Sequence, residues 1–481
     1  MRTLALVFCG FISITSAGRA LGEAHWPQFR GPGGRGVAGA GRLPVRFGPT
    51  DKPLWKTALP YGHSSPCIWG NRIFLTGLAE GKLETLCVDR KSGNVIWRRT
   101  APAKALEDVH REGSPASATP TTDGRHVYVY FGSYGLLCYA MSGQRIWTRP
   151  LPPPITEWGA ASSPVLIGDG LVLNRDQDLG SYLLCVDAAT GKTRWKVDRA
   201  PFRRGFGTPI VRRNQGVDEI IVPGSIRLVA YDAVSGTQRW AMPGLPAMVC
   251  TSPTTGQDLI FVAAWMQGTS GVARFITQMI LTPYAEFAKD RDKNADGALN
   301  PDEMPKLLSS MFSHLDADKD GRITPAEWDS SAGMFRESRS AVLAIRPPSG
   351  PDAGEPEVVW TRMRALPYIP SPLHYDGRLY TVKDGGIVSC YDAATGDLFF
   401  RERLEARGDY YASPVAGDGK VYFSSKSGVI TVIRAADALD VVAHNVFDEA
   451  ITATPALVDE KLYLRTAGHL YAFGAHTSAG N

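Results

Sequence analysis

Residues 163–195 read SPVLIGDGLVLNRDQDLGSYLLCVDAATGKTRW and hold one complete structural unit. A Ser-Pro pair leads into a short apolar strand that stops at Gly168-Asp169. A second strand follows, then a turn at Gly180, a third strand (YLLCVD), and a Thr-Gly turn into a fourth strand carrying Trp195. Short β-prone runs punctuated by Gly and Asp predict four antiparallel strands in succession. Nothing in the unit has helical spacing.

The unit recurs. A Ser-Pro or Thr-Pro pair appears with its proline at Pro66, Pro120, Pro164, Pro209, Pro253, Pro372, Pro414 and Pro455. The spacing is 41–54 residues except for one interval of 119, between Pro253 and Pro372. A period near 43 residues with four strands per unit predicts a β-propeller. A second signature runs through the units as Asp89/Gly93/Trp97, Asp187/Gly191/Trp195 and Asp232/Gly236/Trp240. Asp392/Gly396 continues it with Phe400 in place of Trp, and the second unit keeps Gly143 and Trp147 without the Asp. Asp opens the turn by accepting backbone N–H groups, Gly takes a positive φ, and Trp buries a large face between blades. The fifth and seventh units are degenerate, although Trp360 remains in the fifth. The eighth unit, Thr454 to Phe473, has only three strands, whereas PLWKTALP around Trp55 resembles the fourth strand of the first unit. The N-terminal strand is therefore expected to complete the last blade and remove an exposed edge. The fold class that follows is all-β: an eight-bladed β-propeller closed by its N-terminal strand, with a small helical insertion in blade 5.

That insertion, residues 267–340, holds two copies of a calcium-loop motif of the EF-hand type. In the first, Asp292, Asn294, Asp296, the carbonyl of Ala298, Asn300 and Glu303 stand at the ligand positions, with Gly297 at the sharp turn. In the second they are Asp316, Asp318, Asp320, the carbonyl of Arg322, Thr324 and Glu327, with Gly321 at the turn. Ca²⁺ takes six to eight oxygens, and this spacing delivers them. Two tandem matches, each with its glycine and terminal glutamate, predict two Ca²⁺ sites. The second has four acidic side chains against three, so it is expected to bind more tightly. Leu299 and Ile323 occupy the position where paired loops touch. Pro283 to Lys289 suits an entering helix with Phe287 inward, and Met304 to Leu315 suits one helix shared by both loops.

The sequence divides accordingly into 1–24, 25–266 (blades 1–4 and the start of blade 5), the insertion 267–340, and 341–481 (the remaining blades). The first segment has Arg2, an apolar run Leu4 to Ile14, then small residues (Ser16, Ala17, Gly18, Ala20, Ala24). That is the layout of a signal peptide, too short to span a bilayer, and it predicts a periplasmic or secreted protein with no membrane span. A net charge of +4 with no Lys/Arg run predicts no nucleic-acid footprint. Six cysteines remain beyond the leader: Cys67, Cys87, Cys138, Cys185, Cys250 and Cys390. Four of them fall at equivalent third-strand positions in different blades, beyond disulfide reach. Buried free thiols are expected.

The Asp-x-x-Thr-Gly-x-x-x-Trp repeat resembles that of the PQQ-like (quinoprotein-type) propeller family, which includes quinoprotein alcohol dehydrogenases and BamB-like assembly proteins. The likeness covers roughly Pro53 to Gly474 outside the insertion and speaks to fold more than function. It implies, for an enzyme of the family, a pyrroloquinoline quinone stacked between a Trp and a disulfide of adjacent cysteines, beside a Ca²⁺. This sequence has no Cys-Cys pair and no Cys-x-x-Cys-His haem motif, although Trp158 offers a stacking face. No lipid-attachment cysteine stands out in the leader either. The residues just before each Ser/Thr-Pro should gather at one channel mouth: His63, Glu112, Trp158, Arg204, Phe206, Tyr368, Tyr410 and Glu449. The first-to-second unit connection, Ala101 to Ser117, is about ten residues longer than the others and suits a lid or a partner-binding loop. The expectation is a monomeric binding or scaffold module with a protein or envelope partner, the alternative a quinone-dependent alcohol or sugar dehydrogenase.

Overall fold

The computed structural model describes residues 25–475, except 52, 157, 201, 267–270 and 351–353, and omits the side chains of 271–274 and 310. The leader reading lies outside the described residues, as does the start of the insertion.

Eight four-stranded antiparallel sheets form the propeller, as the period requires. The unit that opened the reading becomes blade 3, with strands Val165–Ile167, Gly170–Arg175, Tyr182–Asp187 and Thr193–Asp198. Its second strand is buried along its whole length and its third nearly so, because both faces of a blade are covered by neighbouring blades. The fourth strand alternates between exposed and half-buried, as an outer edge should. Blade 8 joins Ala456–Val458, Lys461–Arg465 and His469–Gly474 to the N-terminal strand Trp55–Ala58. Trp55 pairs with Ala472 and Ala58 with His469, so one sheet holds the first and last strands of the described residues.

The Asp-Gly-Trp signature works between blades. Asp187 Oδ1 accepts the Thr190 amide (2.9 Å) and hydroxyl (2.8 Å), fixing the turn. Gly191 then lies at φ +71°, and a Cβ there would sit 2.7 Å from the Trp147 ring of the preceding blade. Trp147 Nε1 donates to Ala188 O at 2.9 Å. The same docking joins Trp55 to Gly93, Trp97 to Gly143, Trp195 to Gly236 and Trp360 to Gly396. Trp240 faces degenerate blade 5, and its Nε1 has no partner among the described residues.

Residues 25–38 lie outside the repeat and close one end of the channel. Trp26 exchanges backbone hydrogen bonds with Ile68 of blade 1 (2.9 and 2.8 Å), and Pro27 O accepts Thr122 N of blade 2. Gly34 abuts Ile210 of blade 4. Arg30 donates to Pro372 O beside blade 6 at 2.6 Å, and Ala38 N donates to Ala416 O of blade 7 at 2.8 Å. A segment that touches the inner strands of blades on opposite sides must cross the axis. It is a plug, which the repeat-based reading of the sequence had left out.

All six described cysteines are free. Burial raises their thiols, with Cys87 and Cys185 pushed to about 11.

Among the described residues, the connection between Leu259–Ala264 and Ala341–Arg346 of blade 5 carries four α-helices: α1 (Gly271–Ile280), α2 (Tyr284–Ala288), α3 (Phe312–Leu315) and α4 (Pro325–Glu337). Phe287 is buried and stacks on Trp328 of α4 at 4.2 Å. Met304 to Leu315 is not one helix: a turn and a 3₁₀ segment (Ser309–Met311) precede the single turn α3. Pro305 supplies no amide to a helix there, and the residue before it is extended.

Candidate functional site

The Ser/Thr of each Ser/Thr-Pro pair has a task that the sequence did not disclose. The Ser65 amide donates to Thr119 Oγ1, Thr119 to Ser163 Oγ, Ser163 to Thr208 Oγ1 and Thr208 to Ser252 Oγ. Ser252 donates to Ser371 Oγ, Ser371 to Ser413 Oγ, Ser413 to Thr454 Oγ1, and Thr454 returns to Ser65 Oγ. Every link is 2.9–3.0 Å, and the ring closes on itself. Each following proline has no N–H, so these amides are the last donors before the inner strands.

All eight ring residues line a cavity of about 550 Å³ that opens at the mouth opposite the plug. Above the ring stand Phe206, Met248, Trp158 and Tyr368, and from the plug side Phe29 reaches in. The long connection Ala101 to Ser117 folds over the rim and contributes His110, Arg111, Glu112 and Gly113. The His110 ring lies 4.6 Å from that of Trp158. Glu112 reaches blade 7, where Lys426 Nζ and Tyr411 Oη (3.3 Å) both donate to its Oε2. These donors hold the Glu112 carboxyl below its usual range, the Lys426 hydrogen bond first. His63 bonds Tyr61 Oη at 2.8 Å; burial, with Arg465 and Lys426 nearby, pushes it down to about 4 and keeps it neutral.

Of the rim residues expected from sequence, His63, Glu112, Trp158, Phe206 and Tyr368 line this cavity. Arg204 lies in an adjoining groove beside the insertion. Tyr410 is fully buried and donates to Ala406 O, so its neighbour Tyr411 takes the cavity wall. Glu449 is occupied by Thr466, the Gly468 amide and His469. Asp409 and Tyr411 went unread, and His110 was read only as part of the long connection, because a loop gives no periodicity to follow.

The insertion loops face each other through a Leu299–Ile323 bridge with N–H···O distances of 3.0 and 2.9 Å. In the second loop a ligand oxygen each from Asp316, Asp318 and Asp320 lies within 4.8 Å of the others. Asp316 Oδ2 accepts the Gly321 amide at 3.0 Å, while the buried Oδ1 has no partner among the described residues. Burial raises the Asp316 carboxyl. Glu327 Oε1 and Oε2 are tied to the amides of Ala317 and Thr324 at 2.8 Å. In the first loop Asp292 Oδ2 accepts the Gly297 amide at 2.9 Å, and Glu303 spans the Lys293 and Asn300 amides. Asp296 is engaged by Arg322 (2.9 Å) and Asn294 (3.1 Å). Residue Ala298 is buried and its amide bonds Asp296.

The insertion is fastened to the cavity wall. His314 Nδ1 lies 3.0 Å from Arg204 Nη2, Arg204 pairs with Asp178 (2.5 Å), and Ser338 Oγ accepts the Ala247 amide. A groove lined by Met248, Met266, Met311, Met334 and Phe335 runs between, and shares Trp158 and Tyr368 with the cavity.

The family model described as "Outer membrane protein assembly factor BamB" matches residues 40–214, 179–277 and 339–478. BamB from Moraxella catarrhalis superposes with a TM-score of 0.54 at 10% identity, covering 88% of this chain and 98% of that one. A europium-containing methanol dehydrogenase gives 0.59 at 9% identity, covering 94% and 98%. The quinohemoprotein alcohol dehydrogenase from Comamonas testosteroni gives 0.57 at 10%, covering 95% and 82%. At such identities these structures share the fold alone. No curated protein matches by sequence.

Proposed function

We propose, since this chain belongs to the family described as outer membrane protein assembly factor BamB, that it is a cell-envelope binding module whose ligand enters the open channel mouth. The observation that carries the reading is the cavity of about 550 Å³, blind at the plug and walled by aromatic and polar side chains. The lid-like loop with Glu112 and the Lys426–Tyr411 pair gives that mouth an adjustable edge. A signal-peptide leader and the envelope setting of the relatives fit one location, outside the cytoplasm. Among the described residues no helix is long and apolar enough to cross a membrane.

Two Ca²⁺ ions complete the module in this reading. The converging carboxylates of Asp316, Asp318 and Asp320 and the unpartnered Asp316 Oδ1 fit a hard cation. At the first loop the Arg322 guanidinium already competes for Asp296, so the second loop is the tighter site. Bound there, the ion would hold α3, and through His314 the cavity wall.

Pyrroloquinoline quinone fits the cavity poorly. It is a flat aromatic cofactor that the enzymes of the family stack between a Trp face and a disulfide of adjacent cysteines, and this lining offers neither. The Trp158 face is taken by His110, and Cys250 is the single cysteine of the lining. No quinone chemistry is therefore assigned. The test is calorimetric titration of the mature protein with Ca²⁺ and then with the quinone, beside an Asp292→Ala/Asp316→Ala variant. Calcium heat that disappears in the variant, with no quinone heat, supports the module. Tight quinone binding with dye-linked alcohol oxidation would replace it with a dehydrogenase.

A further inference from the structure

The floor of the mouth cavity is a ring of hydroxyls whose protons have no protein acceptor among the described residues. Each of the eight ring hydroxyls spends a lone pair on the amide of the preceding blade. A hydroxyl also carries one proton to donate. Among the described residues none of the eight donates it to a protein acceptor, although all are at least nine-tenths buried and all line the cavity. The inner strands begin at proline just below, so the ring is a circle of O–H groups with their protons unspent.

Charge points the same way. Arg465 and Arg30 are fully buried, and neither has a carboxylate partner among the described residues. Arg465 Nη1 donates to Ser64 O (3.1 Å) and Ser64 Oγ (2.7 Å), one residue from ring member Ser65. Arg30 Nη2 donates to Pro372 O, one residue from ring member Ser371. Nε of both, and Nη1 of Arg30, find no partner there. Burial pulls each guanidinium down to about 9, which still leaves both charged at neutral pH. Two uncompensated buried cations thus flank the ring, and a low-dielectric wall makes their field felt on the axis. The buried acids nearby are engaged: Asp176 holds Arg199 bidentately and Asp178 holds Arg204. Glu107, behind the wall at Ala160, is pushed up to about 7 by burial. Of the two acids in the lining, Glu112 is neutralised by Lys426 and Asp409 remains.

We propose that the cavity takes its ligand foot first, with an anionic oxygen group seated on the Ser/Thr hydroxyl ring and an apolar body against Phe206, Met248 and Tyr368. A carboxylate, a sulfate ester or a phosphate ester presents the same chemistry to the ring: short, charge-assisted O–H···O⁻ bonds. This assignment rests on the mouth cavity being the binding site.

The test uses the unaltered mature protein and a matched pair of probes, phenylacetate and phenylacetamide, which differ in the charge of the foot. Titrations run at constant ionic strength, with inorganic sulfate and phosphate as competitors. Phenylacetate should bind about tenfold tighter than the amide or better, and sulfate or phosphate should displace it. Crystals grown with bromide should show an anomalous peak inside the ring. Ser252→Ala should weaken phenylacetate and spare the amide. Because that change also removes the acceptor of Thr208 N–H and can unfold the blade, the bromide experiment on the unaltered chain decides independently. Equal affinities for acid and amide, with bromide absent from the ring, overturn the anionic foot and leave the cavity as the binding site. No binding of either probe, with bromide found only on the outer surface, overturns both.

Discussion

Single residues in this propeller separate backbone strain from packing. Gly191 and Gly168 both lie at positive φ, +71° and +54°, yet a Cβ on Gly191 would strike Trp147 at 2.7 Å and one on Gly168 would meet open space. Gly191→Ala should cost about 2–4 kcal/mol, and Gly168→Ala about 1 kcal/mol, in denaturant unfolding. The difference between them is the price of the Trp contact. Glu107 gives a pH test. Its folded-state carboxyl is raised to about 7 by burial, so the folded state holds a proton that the unfolded chain releases at lower pH. Its contribution is full below about 4.5 and is lost as pH rises through about 7. Glu107→Gln, which keeps an acceptor for the Ala160 amide, should match the parent near pH 4 and exceed it by about 1–3 kcal/mol at pH 8. His63 and His314, both pushed down to about 4, act with the opposite sign between about 4 and 6.5; they are common to both proteins and cancel. The Asp, Gly and Trp of the repeat were legible because each answers a local demand. Glu107 was not: its depth depends on Ser133 and Ala160, which only the folded chain brings to it.

At the level of elements, the insertion and the long rim loop make the predictions. Calcium at the second loop should raise the melting temperature of the parent, and Asp316→Asn should remove most of that increment. Asp292→Asn should remove less, because its loop shares Asp296 with Arg322. Equal losses would mean that the Arg322 contact does not discriminate between the sites. Glu112→Gln should loosen the rim loop without unfolding a blade, since its partners Lys426 and Tyr411 stand at a partly exposed edge. Faster amide exchange confined to about residues 107–113 would be the sign, and unchanged exchange would remove Glu112 as the latch. The two loop motifs and the entering helix were readable from twelve-residue spacing and apolar position. The shared helix was misread because the twelve residues between the loops, Met304 to Leu315, have the length of one helix while Pro305 interrupts it.

For the whole molecule, the repeat period told the number of blades and the place of the insertion, since every blade meets the same steric demand. The plug was invisible for the converse reason: residues 25–38 occur once, and their partners are Ile68, Ile210, Pro372 and Ala416, scattered along the chain. The mouth cavity was half legible, through the residues before each Ser/Thr-Pro, but the hydroxyl ring emerges only when blades stand side by side. Removing residues up to Ala58 takes away both plug and closing strand and exposes the edge of His469–Gly474. Such a chain should aggregate or associate on size exclusion, whereas truncation before His25 should leave the elution volume unchanged. The closing sheet also sets a clock. Trp55 pairs with Ala472, some four hundred residues later in the chain. At roughly 5–20 residues per second of synthesis, the first strand waits about 20–80 s for its partner. Throughout that wait it is a lone β-prone segment, so this protein is born with an unmet appointment, and whatever shelters the early chain is as much a condition of the native state as any contact within it.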